Sequence, residues 1–359
     1  MLATVEYATI AAASANNPRN DTASVVELED GALLAVWHKY DGLVGSDFDL
    51  CRIYAKSSYD GGMTWERERM LIDNHPEDHN VQAPGLCRLP SGELLLHCLR
   101  GHSGGSSSTM EVYVSRDGGE FWEFRSHIWT RTNGQWLQGG ANHMNVLSGG
   151  RLLLPYHFGS GHQGDQHNTV GCYFSDDQGA TWTRSKDTVD LPMRGAMEAS
   201  VAERTDGWLV MSLRSQLGSV FISLSHDGGN SWSPPQSSGL KSPESCTCLR
   251  AIPGTNALLL LWNDSMYQPD KHHFGRRTPL SAAVSEDGGA TWSKIGNIAE
   301  GPYEFTNLNC MFTRAGKAVI TYMQVEDPAF YESGDPPFKR NGMNLNVAVI
   351  DRNNLIEIE

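Results

Sequence analysis

The 359-residue sequence predicts an all-β protein, a six-bladed β-propeller with four antiparallel strands in each blade. Three observations support this prediction. A turn motif with the pattern S-x-D-x-G-x-x-W recurs along the chain, an apolar hairpin recurs upstream of each copy, and no segment has the pattern of a long helix. Each unit spans roughly 50–60 residues, which is the length of one four-stranded blade.

The turn motif is expected to close a hairpin. Its aspartate accepts hydrogen bonds from nearby backbone amides and its glycines tolerate positive φ, while its tryptophan pins the turn onto the next strand. A strand-like run precedes every copy. The five copies occupy residues 58–65, 115–122, 175–182, 225–232 and 285–292.

The second repeat is an apolar run, a turn with glycine and another apolar run. The six turns lie at Gly31, Gly92, Gly150, Gly207, Gly254 and Gly316. The sixth unit ends in the strand-like run 345–351 and has no S-x-D-x-G-x-x-W motif. We expect the N-terminal run 5–10 to complete this blade and close the ring, since closure removes an open sheet edge. Residues 1–359 are therefore expected to form one propeller domain.

Composition narrows the class of partner. With 28 Lys and Arg against 42 Asp and Glu, the formal net charge is −14, which argues against nucleic acid or an anionic membrane as the main partner. The mean hydropathy is −0.39 and no run of 18 apolar residues occurs, so no transmembrane helix is predicted. Residues 1–13 have no Lys or Arg before their apolar stretch, which is unlike a signal peptide. We expect a cytoplasmic protein, or a secreted or periplasmic one if a leader has been removed.

The cysteines do not form a metal-binding pattern. All seven are scattered, and the one close pair, Cys246 and Cys248, lacks CxxC spacing, so free thiols are expected. His143 and His157 have no evident acidic third ligand. We therefore expect no metal and no cofactor.

The innermost strands of a propeller line a central funnel, where functional side chains can converge. Alignment on the turn glycines places His38, His157 and Arg214 seven residues after the glycine, and a two-residue shift in blade five adds Asn263. Glu198 lies nine residues before Gly207, with Asp21 and His143 on the matching strands of blades one and three. A closed core would have Leu or Val at such positions, so this titratable cluster indicates a functional site.

The five motifs and their spacing resemble the Asp boxes of the sialidase (neuraminidase) superfamily, whose members are six-bladed propellers. The resemblance covers about residues 20–351. It implies an exo-acting glycoside hydrolase that releases a terminal sialic-acid-like or other acidic sugar from a glycan. Sialidases hold the substrate carboxylate with three arginines and use a tyrosine nucleophile, a glutamate that takes its proton, and an aspartate acid/base. Arginine suits this task because its guanidinium binds a carboxylate through two parallel hydrogen bonds.

Four positions match this pattern. The segment 197–214 is similar to the family segment that carries the glutamate and the second arginine, which implies these roles for Glu198 and Arg214. Arg277, just before the fifth Asp box, corresponds to the third arginine. Asp47, in the loop 41–49, lies about where the acid/base aspartate is expected, and the same loop also offers Asp41 and Asp49 for this role.

Two positions depart from the pattern. The register of the first arginine gives Asp21, while Arg19 lies two residues earlier on the same strand face. The register of the tyrosine gives Phe305 or Asn307, and Tyr303 shares their face through the two-residue period of a strand. We expect Arg19 and Asp21 to bind substrate and Tyr303 to be a candidate catalytic residue.

The histidines leave other activities open. His38, His143 and His157 are not part of the sialidase set. Propellers related in shape cleave uronic-acid polysaccharides by β-elimination with His and Tyr, and others remove rhamnose or arabinose. A histidine is suited to take the proton next to a uronate carboxylate. The alternatives are therefore a polysaccharide lyase, a neutral-sugar glycosidase or a non-catalytic glycan-binding propeller, although a scaffold would not need titratable groups in its funnel.

Overall fold

The computed structural model describes residues 2, 4–41, 47, 49–102, 107–130, 136–139, 144–160, 167–326 and 342–356. Its strands form six antiparallel sheets, which confirms the predicted all-β six-bladed propeller. Within these ranges, no helical segment has the length and apolar character needed to span a membrane.

The strands are numbered along the chain, and β1 (Glu6–Ala11) belongs to the last blade. Blade one contains β2 (Asn20–Glu27), β3 (Leu33–Tyr40), β4 (Cys51–Ser58) and β5 (Glu66–Ile72). Blade two contains β6 (Asp78–Arg88), β7 (Leu94–His102), β8 (Ser107–Ser115) and β9 (Glu123–Trp129). Blade three contains β10 (Leu137–Gly139), β11 (Asn145–Val146), β12 (Leu152–Ser160), β13 (His167–Ser175) and β14 (Thr183–Arg184), where β10 and β11 both pair with β12.

Blade four contains β15 (Met197–Glu203), β16 (Leu209–Arg214), β17 (Ser219–Ser225) and β18 (Gln236–Lys241). Blade five contains β19 (Cys248–Ala251), β20 (Leu258–Asn263), β21 (Leu280–Ser285) and β22 (Ser293–Ala299). Blade six contains β23 (Tyr303–Phe312), β24 (Lys317–Glu326) and β25 (Asn344–Asp351). Strand β1 pairs antiparallel with β25 and is the outermost strand of this blade.

The five Asp boxes share the hydrogen bonds among serine, aspartate and the second glycine. In four of them the tryptophan donates to the carbonyl of that glycine, whereas Trp182 of the third box donates to Ser126 Oγ at 3.1 Å. In blade two, Ser115 Oγ donates to Asp117 Oδ1 at 2.8 Å and accepts from Gly119 N at 2.8 Å. The same aspartate oxygen accepts from Phe121 N at 3.0 Å, and Trp122 Nε1 donates to the Gly119 carbonyl at 3.0 Å. The aspartate thus organises its own turn, as the Asp-Gly sequence predicts.

The box aspartates are fully engaged within these turns. In blade three, the Thr181 hydroxyl donates to Asp177 Oδ2 at 2.6 Å, and the Thr181 N–H donates to Oδ1 at 2.9 Å. The Thr181 hydroxyl bond and the other donors outweigh desolvation and lower the pKa of Asp177 to about 2. The carboxylate is therefore a structural acceptor in the turn.

The second glycine of each box packs against the preceding blade. At Gly119 the φ angle is +90°, and a Cβ atom would lie 2.5 Å from Leu34 Cδ2 of blade one. The box turns therefore hold neighbouring blades together around the ring, and the first box packs on the last blade. The equivalent pairs are Gly62 with Val349, Gly179 with Leu95, Gly229 with Leu153, and Gly289 with Val210.

Apolar side chains fill the wedges between blades, and the inner strands are bulged where they reach the funnel. Val36 and Ile53 of blade one, for example, pack in one cluster with Leu86 and Leu96 of blade two. Four inner strands shift register and place one residue in the left-handed region, nine residues before the turn glycine. Such bulges re-aim side chains. These residues are Thr22 (φ 47°), Ala83 (φ 51°), Glu198 (φ 41°) and Asn307 (φ 53°).

Candidate functional site

Two groups of charged side chains meet at one end of the funnel, where the inner strands begin and the second strands end. We call the first group the Asp21 cluster, comprising Arg19, Asp21, His38, Asp47 and Asn307. We call the second the Glu244 cluster, comprising Arg194, Glu198, Arg214, Glu244, His273 and Arg277.

The Asp21 cluster is centred on a fully buried carboxylate. Arg19 donates to Asp21 from Nε at 2.8 Å and from Nη2 at 2.5 Å, while its Nη1 donates to Asp47 at 2.6 Å. The Asn307 amide also donates to Asp21. Burial alone would raise the pKa of Asp21, but Arg19, His38 and Asn307 hold it below its usual value. Asp21 is therefore an ionised anchor for Arg19.

Asp47 occupies the solvent side of this cluster. Its side chain is 69% exposed, and the Arg19 contact fixes its carboxylate. Its backbone carbonyl accepts a hydrogen bond from the Asn80 amide at 2.8 Å. Residues 42–46 and 48 lie outside the described part of the chain. The sequence-predicted acid/base is thus held at the mouth of the funnel from two sides.

Two predicted histidines accept hydrogen bonds from the neighbouring blade. His38 Nδ1 accepts from the backbone N–H of Ala83 at 3.1 Å, and His157 Nδ1 accepts from that of Glu198 at 3.4 Å. Burial is the main cause that lowers the pKa of each ring to about 4. Both rings are therefore neutral at pH 7, and their remaining proton is on Nε2 because Nδ1 is an acceptor.

Glu198 is placed in the funnel by the bulge of β15. Its carboxylate is 19% exposed and accepts a hydrogen bond from Arg214 Nη1 at 2.7 Å. Burial opposes ionisation of this group. The charges of Arg214 and His157 nevertheless lower the pKa of Glu198 below its usual value, and Arg277 has a smaller effect in the same direction. Glu198 is thus an ionised carboxylate that solvent can reach.

Glu244 was missed by the sequence analysis. Its side chain is only 2% exposed and lies 2.6 Å from Arg194 Nη1, 3.4 Å from Arg214 Nη2 and 3.5 Å from His273 Nδ1. Burial would raise the pKa of Glu244, but the bond to His273 and the charges of Arg214 and Arg194 hold it far below its usual value. It is the buried counter-ion of this half of the site.

Arg277 completes the Glu244 cluster. Its Nη2 donates to the backbone carbonyl of Glu244 at 3.1 Å. Burial and the charge of Arg214 lower the pKa of Arg277, against the effect of Glu304 and Glu198. The Nε atoms of Arg214 and Arg277 are buried and have no hydrogen-bond partner in the described part of the chain. The two guanidiniums are therefore neighbours that keep donors unused within the described part of the chain.

Two predicted site residues lie elsewhere. Asn263 is fully buried, and its amide donates to the carbonyls of Arg277 at 3.0 Å and Phe305 at 3.1 Å, so it supports the Arg277 main chain from beneath. Tyr303 lines a groove of about 330 Å³ between the end of blade five and blade six, together with Tyr7, Glu300 and Gln324. Its ring is therefore separate from the two clusters.

Other predictions fall in different places. His143 lies outside the described residues, as do parts of the mouth loops at 103–106 and 161–166. The family tyrosine was expected at Phe305 or Asn307, and these two residues lie in different surroundings. Phe305 is 1% exposed and buried in the core, whereas the side chain of Asn307 donates to Asp21. Asn307 lies nine residues before Gly316, as Glu198 lies nine before Gly207, and this shared register could have identified it.

Comparisons with known proteins agree with this architecture. A family model for the BNR repeat-like domain matches residues 31–335. A protein of unknown function from Dyadobacter fermentans has a TM-score of 0.73 at 17% identity, over 96% of this chain and 98% of that one. A variant of the NanB sialidase from Streptococcus pneumoniae has a TM-score of 0.74 at 13% identity, over 97% and 71%. The intramolecular trans-sialidase from Ruminococcus gnavus has a TM-score of 0.74 at 14% identity, over 96% and 97%. A comparison with curated proteins found no match. At these identities the structural likeness shows the fold alone.

Proposed function

Because this chain belongs to the BNR repeat-like family and has the propeller of the sialidase superfamily, we propose that it is an exo-acting glycoside hydrolase. Its substrate is a glycan that ends in a sialic-acid-like or other acidic sugar. The observation that carries this proposal is the pair formed by Arg214 and Arg277, two buried neighbouring guanidiniums whose Nε–H groups have no partner among the described residues.

The arginine pair provides the recognition step. Arg214 already contacts Glu198 and Glu244, and Arg277 contacts a backbone carbonyl, so both are held in place before substrate binds. A carboxylate placed against the pair would receive charge-assisted hydrogen bonds from N–H groups of both guanidiniums. It would also offset the burial and the repulsion from Arg214 that lower the pKa of Arg277.

Glu198 and Asp47 provide the proton transfers. Glu198 is ionised and reachable, which suits a group that takes a proton from the attacking hydroxyl. Asp47 is exposed at the mouth, which suits a group that gives a proton to the leaving glycosidic oxygen. A water molecule is the attacking hydroxyl: it gives a proton to Glu198 while its oxygen bonds to the anomeric carbon, the glycosidic C–O bond breaks, and Asp47 gives its proton to the leaving oxygen. Glu198 then releases a proton to solvent and Asp47 takes one up, so both carboxyl groups return to their starting states.

The Asp21 cluster supports a broader acidic-sugar substrate class. Arg19 is bound by Asp21 and Asp47, so it has less freedom to bind a substrate carboxylate than Arg277 has. The family tyrosine register is filled by Asn307, which donates to Asp21. Recognition therefore depends on Arg214 and Arg277, and the substrate class includes acidic sugars other than sialic acid.

The alternative hypothesis, a polysaccharide lyase that uses the funnel histidines, has less support than the glycoside hydrolase. A base for β-elimination needs a free lone pair on a ring nitrogen. In His38 and His157 the Nδ1 lone pair accepts a backbone N–H, and the Nε2 atom carries the proton. These two rings are therefore suited to hold the bulges and to donate hydrogen bonds rather than to take a proton from carbon.

A product assay tests the proposal. The wild type, Glu198→Gln and the control Glu203→Gln are incubated with sialosides, uronate polysaccharides and aryl glycosides, and released sugar and unsaturated-uronate absorbance are followed together. Glu203 is the control because it lies at the other end of β15, where it binds Ser148. We expect release of an acidic sugar by the wild type and the control, and loss of release in Glu198→Gln. An unsaturated product, or full activity in Glu198→Gln, would contradict the proposal.

A further inference from the structure

We propose that Glu244 is the positioning residue for the arginine pair, and that it sets the preference of the site for an anionic sugar over a neutral one. The inference rests on the proposed function. Glu244 is not on a strand; it precedes β19 by four residues, and its carboxylate reaches Arg214 while its backbone carbonyl reaches Arg277.

The side chain of Glu244 binds several donors at once. Arg194 Nη1 donates at 2.6 Å, and Gln216 Nε2 donates at 3.3 Å. Arg214 Nη2 and His273 Nδ1 lie 3.4 and 3.5 Å away. A carboxylate that is 2% exposed is stable only when it is paired in this way, so Glu244 and these partners are fixed relative to one another.

The main chain of Glu244 fixes the other half of the pair. Its carbonyl accepts from Arg277 Nη2 at 3.1 Å, and its N–H donates to the His273 carbonyl at 2.8 Å. His273 belongs to the segment 264–275, which precedes Arg277 in the chain. Displacement of Glu244 would therefore move Arg214 through the side chain and Arg277 through the backbone.

Arg214 is shared between two carboxylates, and this sharing explains why Glu244 affects recognition. Glu198 accepts from Arg214 at 2.7 Å, and Glu244 lies at 3.4 Å on the other side. Without the charge of Glu244, Arg214 is drawn more strongly to Glu198. The Nε–H group then turns away from the substrate carboxylate, and binding of the anionic sugar weakens.

The test compares Glu244→Gln with the wild type and with Glu203→Gln on an acidic-sugar substrate and on its carboxamide, which is neutral. Loss of one or two charge-assisted hydrogen bonds corresponds to a KM increase of about 10–100-fold on the acidic substrate. We expect a change within about 3-fold on the carboxamide, and kcat within about 3-fold on both. Equal KM increases on both substrates, or unchanged KM on the acidic one, would overturn the proposal.

A second measurement needs no substrate. The Nε–H resonances of Arg214 and Arg277 are assigned in the 15N-labelled wild type with Arg214→Lys and Arg277→Lys. We expect the Arg214 resonance to shift or broaden in Glu244→Gln, since Arg214 is the member of the pair that contacts the carboxylate, and both resonances to stay in place in Glu203→Gln. Unchanged resonances would reject the positioning role, even if the wild type proves inactive on every acidic sugar, which would reject only the proposed function.

A conservative variant guards against misfolding. Glu244→Asp keeps the charge and withdraws the carboxylate by one methylene. We expect an intermediate KM increase on the acidic substrate and a native circular dichroism spectrum. A KM equal to that of Glu244→Gln would show that charge at this position is not what positions Arg214, and would count against the inference.

Discussion

His38 on blade one accepts, through Nδ1, a hydrogen bond from the backbone N–H of Ala83 on blade two, at 3.1 Å. His157 on blade three has the same relationship with Glu198 on blade four, at 3.4 Å. Ala83 and Glu198 are the left-handed bulge residues of their inner strands. Each histidine therefore fastens the bulge of the next blade, and one of those bulges places the Glu198 carboxylate in the funnel.

The buried ring of His38 predicts loss of stability in mild acid. Burial lowers its pKa from 6.5 to about 4 in the folded state. Between pH 6.5 and about pH 4, His38 is protonated in the unfolded chain but not in the folded one. Its contribution to the free energy of unfolding is therefore complete above pH 6.5 and is lost as the pH falls from 6.5 to about 4. His97, whose pKa burial lowers to about 3, acts in the same direction.

His38→Asn removes this titration while leaving a side-chain oxygen near the place of Nδ1. We expect its free energy of unfolding to fall by about 2 kcal/mol less than that of the wild type between pH 7 and pH 5. Urea unfolding at both pH values measures the difference. His226→Asn is the control, because His226 is exposed. Equal losses in wild type and His38→Asn would contradict the prediction.

Arg277 is expected to determine substrate binding rather than turnover. Arg277→Met removes one guanidinium of the arginine pair, so KM for an acidic sugar should rise about 10–100-fold, by the loss of charge-assisted hydrogen bonds. Arg277→Lys keeps the charge without the fork and should recover part of this loss. Steady-state kinetics with Arg314→Met as control checks the effect, since Arg314 binds Glu27 away from the funnel entrance. A larger effect on kcat than on KM would argue against this role.

Asn307 is predicted to be required as a donor to Asp21. In Asn307→Asp an ionised carboxylate would face the buried Asp21 carboxylate, so one of the two must hold a proton. The pKa of the new carboxyl is therefore raised, and the variant loses stability as pH rises through that value. We expect a destabilisation of about 2–4 kcal/mol at pH 7 and a smaller one at pH 5.

The pH range of that experiment avoids the titration of Asp21 itself. The folded pKa of Asp21 is below its usual value of 3.8, so its own contribution is present above pH 3.8 and is lost only at lower pH. Asn307→Ala is the matched control, since it removes the donor without adding a charge. A pH-independent loss in Asn307→Asp would indicate that Asp21 is not the group that Asn307 serves.

The fold could be predicted because the Asp boxes are local. Each box contains its own turn, its own acceptor and its own tryptophan, so spacing alone indicates the blades. The Glu244 cluster is different because blade five departs from the repeat. Its strand β20 begins four residues after Gly254, whereas β16 begins two residues after Gly207. The alignment with a two-residue shift selected Asn263, which is buried. Glu244 precedes β19 and is not on a strand, so alignment on the turn glycines could not identify it.

Side-chain contacts between blades also could not be predicted from the sequence. Asp21 was predicted from register as a funnel residue, but its bond to Asn307, which lies beside its ion pair with Arg19, joins residues 286 positions apart. Such contacts depend on closure of the ring, which brings blade six beside blade one. A single sequence shows the residue types of the Asp21 cluster, but it does not show which side chains pair with one another.

The last prediction concerns how the Asp boxes hold the blades together. Gly119→Ala forces a side chain into a φ of +90° and places its Cβ 2.5 Å from Leu34 Cδ2, so strain and overpacking add. Gly118→Ala in the same turn has a φ of +76° and open space around its Cβ, so it measures strain alone. We expect a destabilisation of about 2–4 kcal/mol for Gly119→Ala and about 1 kcal/mol for Gly118→Ala in chemical unfolding. Leu34→Ala should reduce the cost of Gly119→Ala in a double-mutant cycle, because the clash is with its Cδ2 atom. Equal costs for the two glycine variants, or no coupling to Leu34, would mean that the box glycine does not set the spacing between blades.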